Sequence, residues 1–393
     1  MNCACVSRSS TLENSAESGK NKTAATSGGA GHGEHVNLLF VGDVSFSTPL
    51  KYYVEHGYHT YNDSFNEVAK YVKNADFSVA NLESPFVSKD MYRYRKGKHV
   101  VLDASSDAAS ALRFAGFDAV TLANNHLNDF GEKGANFTTE VLKKTGVKYI
   151  GVTYGKYDTS QEPLILEVKG LKIGFLGYCD SPSANELNCT ELRRQFNVGP
   201  AAYSDVIATK DVSNLKKAKV DIIVVLMHFG EELFSKALPY QLHITKHLMS
   251  LGVQVIIGAH PHVLQQHCLH DNKLVAYSLG NFLFHPRRPM SGVNPGVYGR
   301  FGKKPDEKLI DAYEQFVLGN CDNLKMSRIL KVTLSRNGVL GASYLPAKIV
   351  FDPKNKRIHP EPIKNAKWIT VCGKKDKQCV DSCHDPPPRK NQT

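Results

Sequence analysis

The chain has 393 residues, 41% of them hydrophobic and 22% charged, enough to bury one large α/β core or two ordinary ones. No apolar run approaches the roughly 20 residues that a membrane-crossing helix needs, so the composition is that of a soluble globular protein. Its formal net charge of +11 comes from basic residues spread along the chain rather than massed, which points to solvated surface and an anionic small-molecule or polymer partner, not nucleic acid.

Residues 1–35 are polar and rich in Gly, Ser and Ala, have no apolar h-region of the signal-peptide kind, and are expected to be disordered. A cytoplasmic location is favoured on that ground; secretion stays open if a leader is missing. Beyond the leader, short β-branched runs alternate with segments of helical period. In order they are strand VNLLFVGD (36–43), helix DSFNEVAKYVKNA, strand DFSVANLE (76–83), helix SSDAASALRFAG, strand FDAVTLAN (117–124), helix EKGANFTTEVLKKTG and strand VKYIGV (147–152). Then come strand VDIIVVLMH (220–228), helix PYQLHITKHLMSLG, and strands VQVIIGAH (253–260) and LVAYSLGNF (274–282). Two segments read as antiparallel hairpins: PLILEVKGLKIGFLGY, with a Lys-Gly turn, and RILKVTLSRNGVLGASYLPAKIV, turning at Asn337-Gly338. The expected architecture is an α/β core with mixed sheets. It forms one domain over 36–350 with a loop insertion at 286–308 and a C-terminal extension over 351–393, loose after about 365.

Nine cysteines, an odd number without zinc-ribbon spacing, do not describe a disulfide framework. Cys372, Cys379, Cys383 and His384 cluster near the C-terminus in no standard zinc pattern, so a surface disulfide or free thiols are expected there. Five N-x-S/T triplets, at Asn21, Asn62, Asn136, Asn188 and Asn391, decide little without a leader.

The informative residues stand at the strand ends. Asp43 closes VGD, Glu83 follows ANL, and LANNHLND carries Asn124, Asn125, His126 and Asp129. His228, Glu231 and Glu232 lie in LMHFGEE, and GAHPH ends on His260 and His262. Each alone has an ordinary explanation as a cap or a hydrogen-bonded side chain. Carboxyl ends of strands converge on one crevice in open α/β sheets, so together these residues meet. With the backbone extended through Pro261, His260 and His262 would reach one point, and a metal ion is a candidate for it. Carboxylate, amide and imidazole donors without a thiolate suit one or two divalent transition ions, Mn, Zn or Fe. His126, Asp129 and Glu232 are then acid/base or orienting groups, and Asn281 holds a loop under the site. Arg93, Arg95, Lys96 and Lys98 of RYRKGKH are placed to meet an anionic substrate.

The motifs FVGDV, NLESP, LANNHLNDFG, HFGEE, GAHPHVLQ and YSLGNFLF, in this order over roughly 37–285, resemble those of bacterial poly-γ-glutamate capsule biosynthesis proteins of the CapA type. Those proteins are related to the calcineurin-like metallophosphoesterases. The resemblance implies a two-sheet α/β/β/α sandwich with a binuclear metal site at its strand ends. It makes Asp43 a ligand of one ion, Asn125 and His228 ligands of the other, divides His260 and His262 between them, and gives His126 the role of protonating the leaving group. Two positions depart from the phosphoesterase pattern: Ser45 stands where a histidine is usual, and the bridging aspartate is represented by Glu83. The expected function is metal-dependent hydrolysis of a phosphoester or γ-glutamyl amide. The alternative is a poly-γ-glutamate synthesis or binding protein with little or no catalysis.

Overall fold

The β-branched runs pair as two sheets in the computed structural model, which describes residues 35–94, 100–155, 159–181, 188–285, 322–380 and 383. Among these residues a nine-stranded sheet contains β1 (Val36–Val44), β2 (Phe77–Leu82), β3 (Ala119–Thr121) and β4 (Lys148–Ile150), parallel to one another. The small pair β5 (Val152–Tyr154) and β8 (Val198–Pro200) stands apart. A six-stranded sheet takes β6 (Leu164–Val168), β7 (Leu171–Asp180), β9 (Ile222–Phe229), β10 (Val255–Ala259), β11 (His267–His270) and β12 (Lys273–Ala276), in the order β11-β12-β10-β9-β7-β6. The nine-stranded sheet is completed by β13 (Asn281–Leu283), parallel to β1, and by the antiparallel β14 (Met326–Ser335), β15 (Gly338–Asp352), β16 (Arg357–Pro362) and β17 (Ile369–Thr370). Both sheets are mixed, as expected.

Strand alternation builds the layers. Val36, Leu38 and Phe40 of β1 face inward and pack with Ile173 and Phe175 of β7, Val224 of β9 and Val255 of β10, so this core lies between the sheets. Leu39 and Val41, of opposite parity, pack outward against Tyr53 of α1 (Leu50–Glu55), Val72 of α2 (Ala69–Val72), Leu112 of α3 (Ala109–Ala115) and Leu142 of α4 (Gly131–Thr145). The short α5 (Cys189–Gln195) precedes β8. On the other outer face, Val225 and Ile256 pack with Leu215 of α6 (Asp205–Lys217) and Leu248 of α7 (Pro239–Ser250). This is the α/β/β/α sandwich. Each fully buried aliphatic side chain in these layers contributes about 1.5–3 kcal/mol of transfer free energy.

Four expectations are corrected. The single strand over 274–282 is two, because the chain leaves the six-stranded sheet at Ala276 and joins the nine-stranded sheet at Asn281. Likewise 147–152 is split at Gly151, whose φ of 81° turns the chain between β4 and β5. Of the segment after 365, the described residues 366–380 are docked, not loose: β17 pairs with β15, and His267 exchanges backbone hydrogen bonds with Gln378 and Val380. Finally, the cysteines do describe a disulfide framework: Cys179–Cys189 and Cys268–Cys383 stand beside Cys372–Cys379, the last within the cluster where a surface disulfide was one expectation. An odd total does not exclude pairing of six cysteines; Cys3, Cys5 and Cys321 lie outside the described residues, as do the leader to residue 34, His384 and the insertion at 286–308. The two hairpins are as read, the first turning through Lys169 and Gly170 at φ 47° and 70°, a two-residue turn matched to strand twist.

Candidate metal centre

Two glycines set the site where the sheets approach each other. A Cβ on Gly42 would stand 1.8 Å from the Gly280 carbonyl oxygen, and one on Gly258 would stand 2.0 Å from that of Tyr277. Only glycine allows the crossing segment 277–280 to pass between β1 and β10. That passage brings the VGD and GAH motifs together. Asp43 N–H donates to the Gly280 carbonyl at 3.1 Å, and the His260 amide lies 3.4 Å from Asp43 Oδ2.

At its end β1 is flanked by β13 and β2, with Asp43 in register with Asn281 on one side and Asn81 on the other. Asp43 and Glu83 are both fully buried. Three imidazoles converge on one carboxylate oxygen of Glu83: Nε2 of His262 at 3.7 Å, of His126 at 3.9 Å and of His228 at 4.0 Å. These separations exceed hydrogen-bond length. For His228 and His262 they match the roughly 3–4 Å between two ligands that each sit about 2.1 Å from a shared ion; His126 is in neither candidate group. Two three-residue groups have donor atoms close enough to hold a metal, Glu83 with His228 and His260, and Asp43 with Glu83 and His262. Glu83 is common to both. Nε2 of His228 also lies 2.9 Å from Asn125 Oδ1, which puts that amide oxygen beside the first group.

His260 and His262 do not share one point, which corrects the extended reading of GAHPH. Their φ values are 97° and 57°, in the left-handed region, and their ring centroids are 6.2 Å apart. The chain turns at each residue, so one ring goes to each group. Non-glycine residues rarely adopt this conformation, and such strain is characteristic of functional sites. Asn281 holds the second ring, its Oδ1 2.9 Å from His262 Nδ1 and its amide nitrogen 3.3 Å from the His262 carbonyl oxygen.

The electrostatics ask for a cation. Two buried carboxylates need compensating positive charge. Burial opposes a proton on His262, yet the charge of Glu83 and the hydrogen bond and charge of Asp43 raise it to about 10. A divalent ion would supply the charge that this proton otherwise provides. The donor set of imidazole, carboxylate and amide oxygen fits Mn, Zn or Fe.

His126 stands at the edge of this cluster. Its Nδ1 is 2.7 Å from Asp129 Oδ2, which also accepts the Leu102 amide at 2.7 Å, so Nε2 is left facing Glu83. Glu232 is exposed on the loop after β9, where its charge adds to the field on His262. Arg93 is exposed with its guanidinium 4.9 Å from the Tyr94 ring centre, while Arg95, Lys96 and Lys98 lie outside the described residues. Ser45 is buried, its hydroxyl 2.9 Å from that of Ser47. Sequence reasoning missed Asn81, whose side-chain nitrogen donates to Asp43 Oδ1 at 2.7 Å and lies 3.3 Å from His228 Nδ1. The available signal was its place two residues before Glu83, near the end of the same β-branched run.

Residues 37–286 match the family model described as bacterial capsule synthesis protein PGA_cap. Among curated proteins, the chain is 32% identical over 253 residues to a capsule biosynthesis protein CapA of Bacillus anthracis, covering 64% of this chain and 60% of that protein. It is 24% identical over 249 residues to a PGA biosynthesis protein CapA of Bacillus subtilis, covering 63% of each. The chain therefore spans about 60% of the length of the curated relatives it matches. Among solved structures, a sulfate thiohydrolase SoxB of Thermus thermophilus aligns at a TM-score of 0.42 and 10% identity, covering 84% of this chain and 58% of that one.

Proposed function

This chain belongs to the bacterial capsule synthesis protein family PGA_cap, and we propose that it is a metal-dependent hydrolase of an anionic substrate, a phosphoester or a γ-glutamyl amide. The observation that carries this reading is the place of Glu83 in both candidate ligand groups, which suits a carboxylate bridging two ions. Asp43 and His262 would hold one ion, and His228, His260 and Asn125 the other. Bound there, a divalent ion supplies Lewis acidity toward water and toward a substrate oxygen. His126 presents Nε2 to the cleft, and the Asp129 carboxylate stabilises its imidazolium form, so that a proton can be delivered to the departing oxygen or nitrogen. Arg93, with Arg95 and Lys96, would meet the substrate's negative charge. Three disulfides support an oxidising compartment over the cytoplasmic expectation.

Ser45 favours a second reading. A side chain turned to Ser47 gives no ligand to the ion beside Asp43, which suits a protein that binds poly-γ-glutamate during its synthesis with little turnover. Elemental analysis of the wild type, Glu83→Gln and His260→Ala tests the metal. At least one transition ion per chain is expected in the wild type, with a loss in both variants; equally near-zero metal in all three would end the reading. The metal-loaded protein is then offered p-nitrophenyl phosphodiesters, phosphomonoesters and γ-linked glutamate polymer with Mn, Zn and Fe. Slow phosphoester turnover improved by added metal is expected, and fast cleavage as purified would contradict a weakened position beside Asp43. Inactivity on every substrate with metal bound selects the second reading.

A further inference from the structure

We infer that Asn81 is a positioning residue that sets the two ion positions relative to each other, an inference that rests on the metal reading above. Its side chain is 3% exposed and stands at the end of β2, beside Asp43 in register. The orientation of the amide follows from chemistry. An ionised carboxylate only accepts hydrogen bonds, so the atom 2.7 Å from Asp43 Oδ1 is the nitrogen. The same nitrogen lies 3.3 Å from Nδ1 of His228. Asp43 belongs to one candidate ligand group, and through Asn124 the same amide reaches the loop whose Asn125 lies beside the other group, so one side chain links the two.

The other end of the amide is also engaged. Asn81 Oδ1 accepts from Asn124 Nδ2 at 3.3 Å, Asn124 Nδ2 also donates to the Leu82 carbonyl at 2.8 Å, and Asn124 Oδ1 accepts the His126 amide N–H at 3.1 Å. The bonds run in one direction, from the His126 backbone through Asn124 and Asn81 to Asp43. A loop that carries Asn125 and His126 is thereby tied to a ligand on β1 by two buried amides. Glu83, just past the end of β2, is the carboxylate common to both candidate groups. Asn81 would act on the ions through the groups that it holds rather than as a ligand. Outer partners of metal ligands typically change metal affinity about 10–100-fold when removed.

The test is titration of metal-free protein with Co(II), read by visible absorption and elemental analysis, for wild type, Asn81→Leu and Asn81→Ser, with the thermal midpoint of each metal-free form. Asn81→Leu keeps the approximate volume and removes the donor. The expected result is Co(II) affinity about 10–100-fold weaker and an altered ligand-field spectrum at saturating Co(II), because Asp43 is no longer held against the loop that carries Asn125. A merely structural role would lower the thermal midpoint and leave the saturated spectrum as in the wild type. Asn81→Ser is smaller and retains one donor; it provides the same readouts if the leucine variant does not fold, with an intermediate loss expected. Wild-type affinity and spectrum in a folded variant would overturn the inference. Failure of the wild type itself to take up Co(II) would overturn the metal reading instead.

Discussion

His126 is fixed by two neighbours of different kinds, a carboxylate at Nδ1 and the Asn124 amide oxygen at its backbone N–H. Neither contact uses Nε2, the atom nearest Glu83. His126→Gln is therefore expected to lower turnover by roughly 10² to 10⁴ while metal content is unchanged, with kcat and elemental analysis measured on the same preparation. Loss of metal in that variant would make His126 a ligand instead. At this scale the strand-end residues were legible because each follows a β-branched run directly, as Asp43 does after FVG and His228 after VVLM. Asn81 was not legible in this way. Its role depends on Asp43 lying in register on the neighbouring strand, a pairing that no local pattern states.

Among elements, the C-terminal segment shows most clearly how position overrides composition. KKDKQCVDS reads as a solvated tail, but Asp376 within it reaches His267 at the start of β11. Arg328 Nη1 lies 2.9 Å from His267 Nδ1, so the arginine donates to Nδ1 and the ring donates from Nε2 to Asp376. Burial and the Arg328 charge push His267 below its usual range, against the pull of Asp376. Burial also opposes the charge on Asp376, yet the His267 hydrogen bond and the Cys372 and Gln378 amides hold it at about 2. Both shifts act in the same direction. The unfolded chain takes up protons first at each group, so stability falls as pH drops below about 6.5 through His267, and again from about 3.9 towards 2 through Asp376. Asp376→Asn is expected to cost on the order of 1–3 kcal/mol at pH 7 and to flatten the low-pH limb, as measured by thermal melts between pH 7 and pH 3. Parallel pH profiles for the two proteins would contradict this account.

Across the whole molecule, the sandwich is closed by pieces of chain far apart in sequence. Cys268 on β11 is joined to Cys383 over a separation of 115 residues. In the chain-entropy model a loop of that size contributes about 4–5 kcal/mol, most of it through the unfolded state. Reductant, or Cys383→Ser, is therefore expected to lower the thermal midpoint by several degrees, and peptide mapping of unreduced protein should recover the three linked cysteine pairs. Equal midpoints with and without reductant, with the bonds intact beforehand, would contradict that contribution. No helix among the described residues is long and apolar enough to cross a membrane.

The amino-acid sequence by itself determined most of the central strands, the two hairpins and the polar residues at the strand ends. Each of these depends on neighbours within a few positions: a period of two along a strand, a period of 3.6 along a helix, or a pair such as Lys169-Gly170 that accepts positive φ. Only the tertiary structure decided which strand joins which sheet, why 274–282 breaks in the middle, how His260 and His262 part, which cysteines pair, and what Asn81 holds. Those outcomes depend on segments meeting across the sandwich. The Gly280 carbonyl against Gly42 and the Tyr277 carbonyl against Gly258 are such meetings, and no periodicity within one segment encodes the partner that it will find.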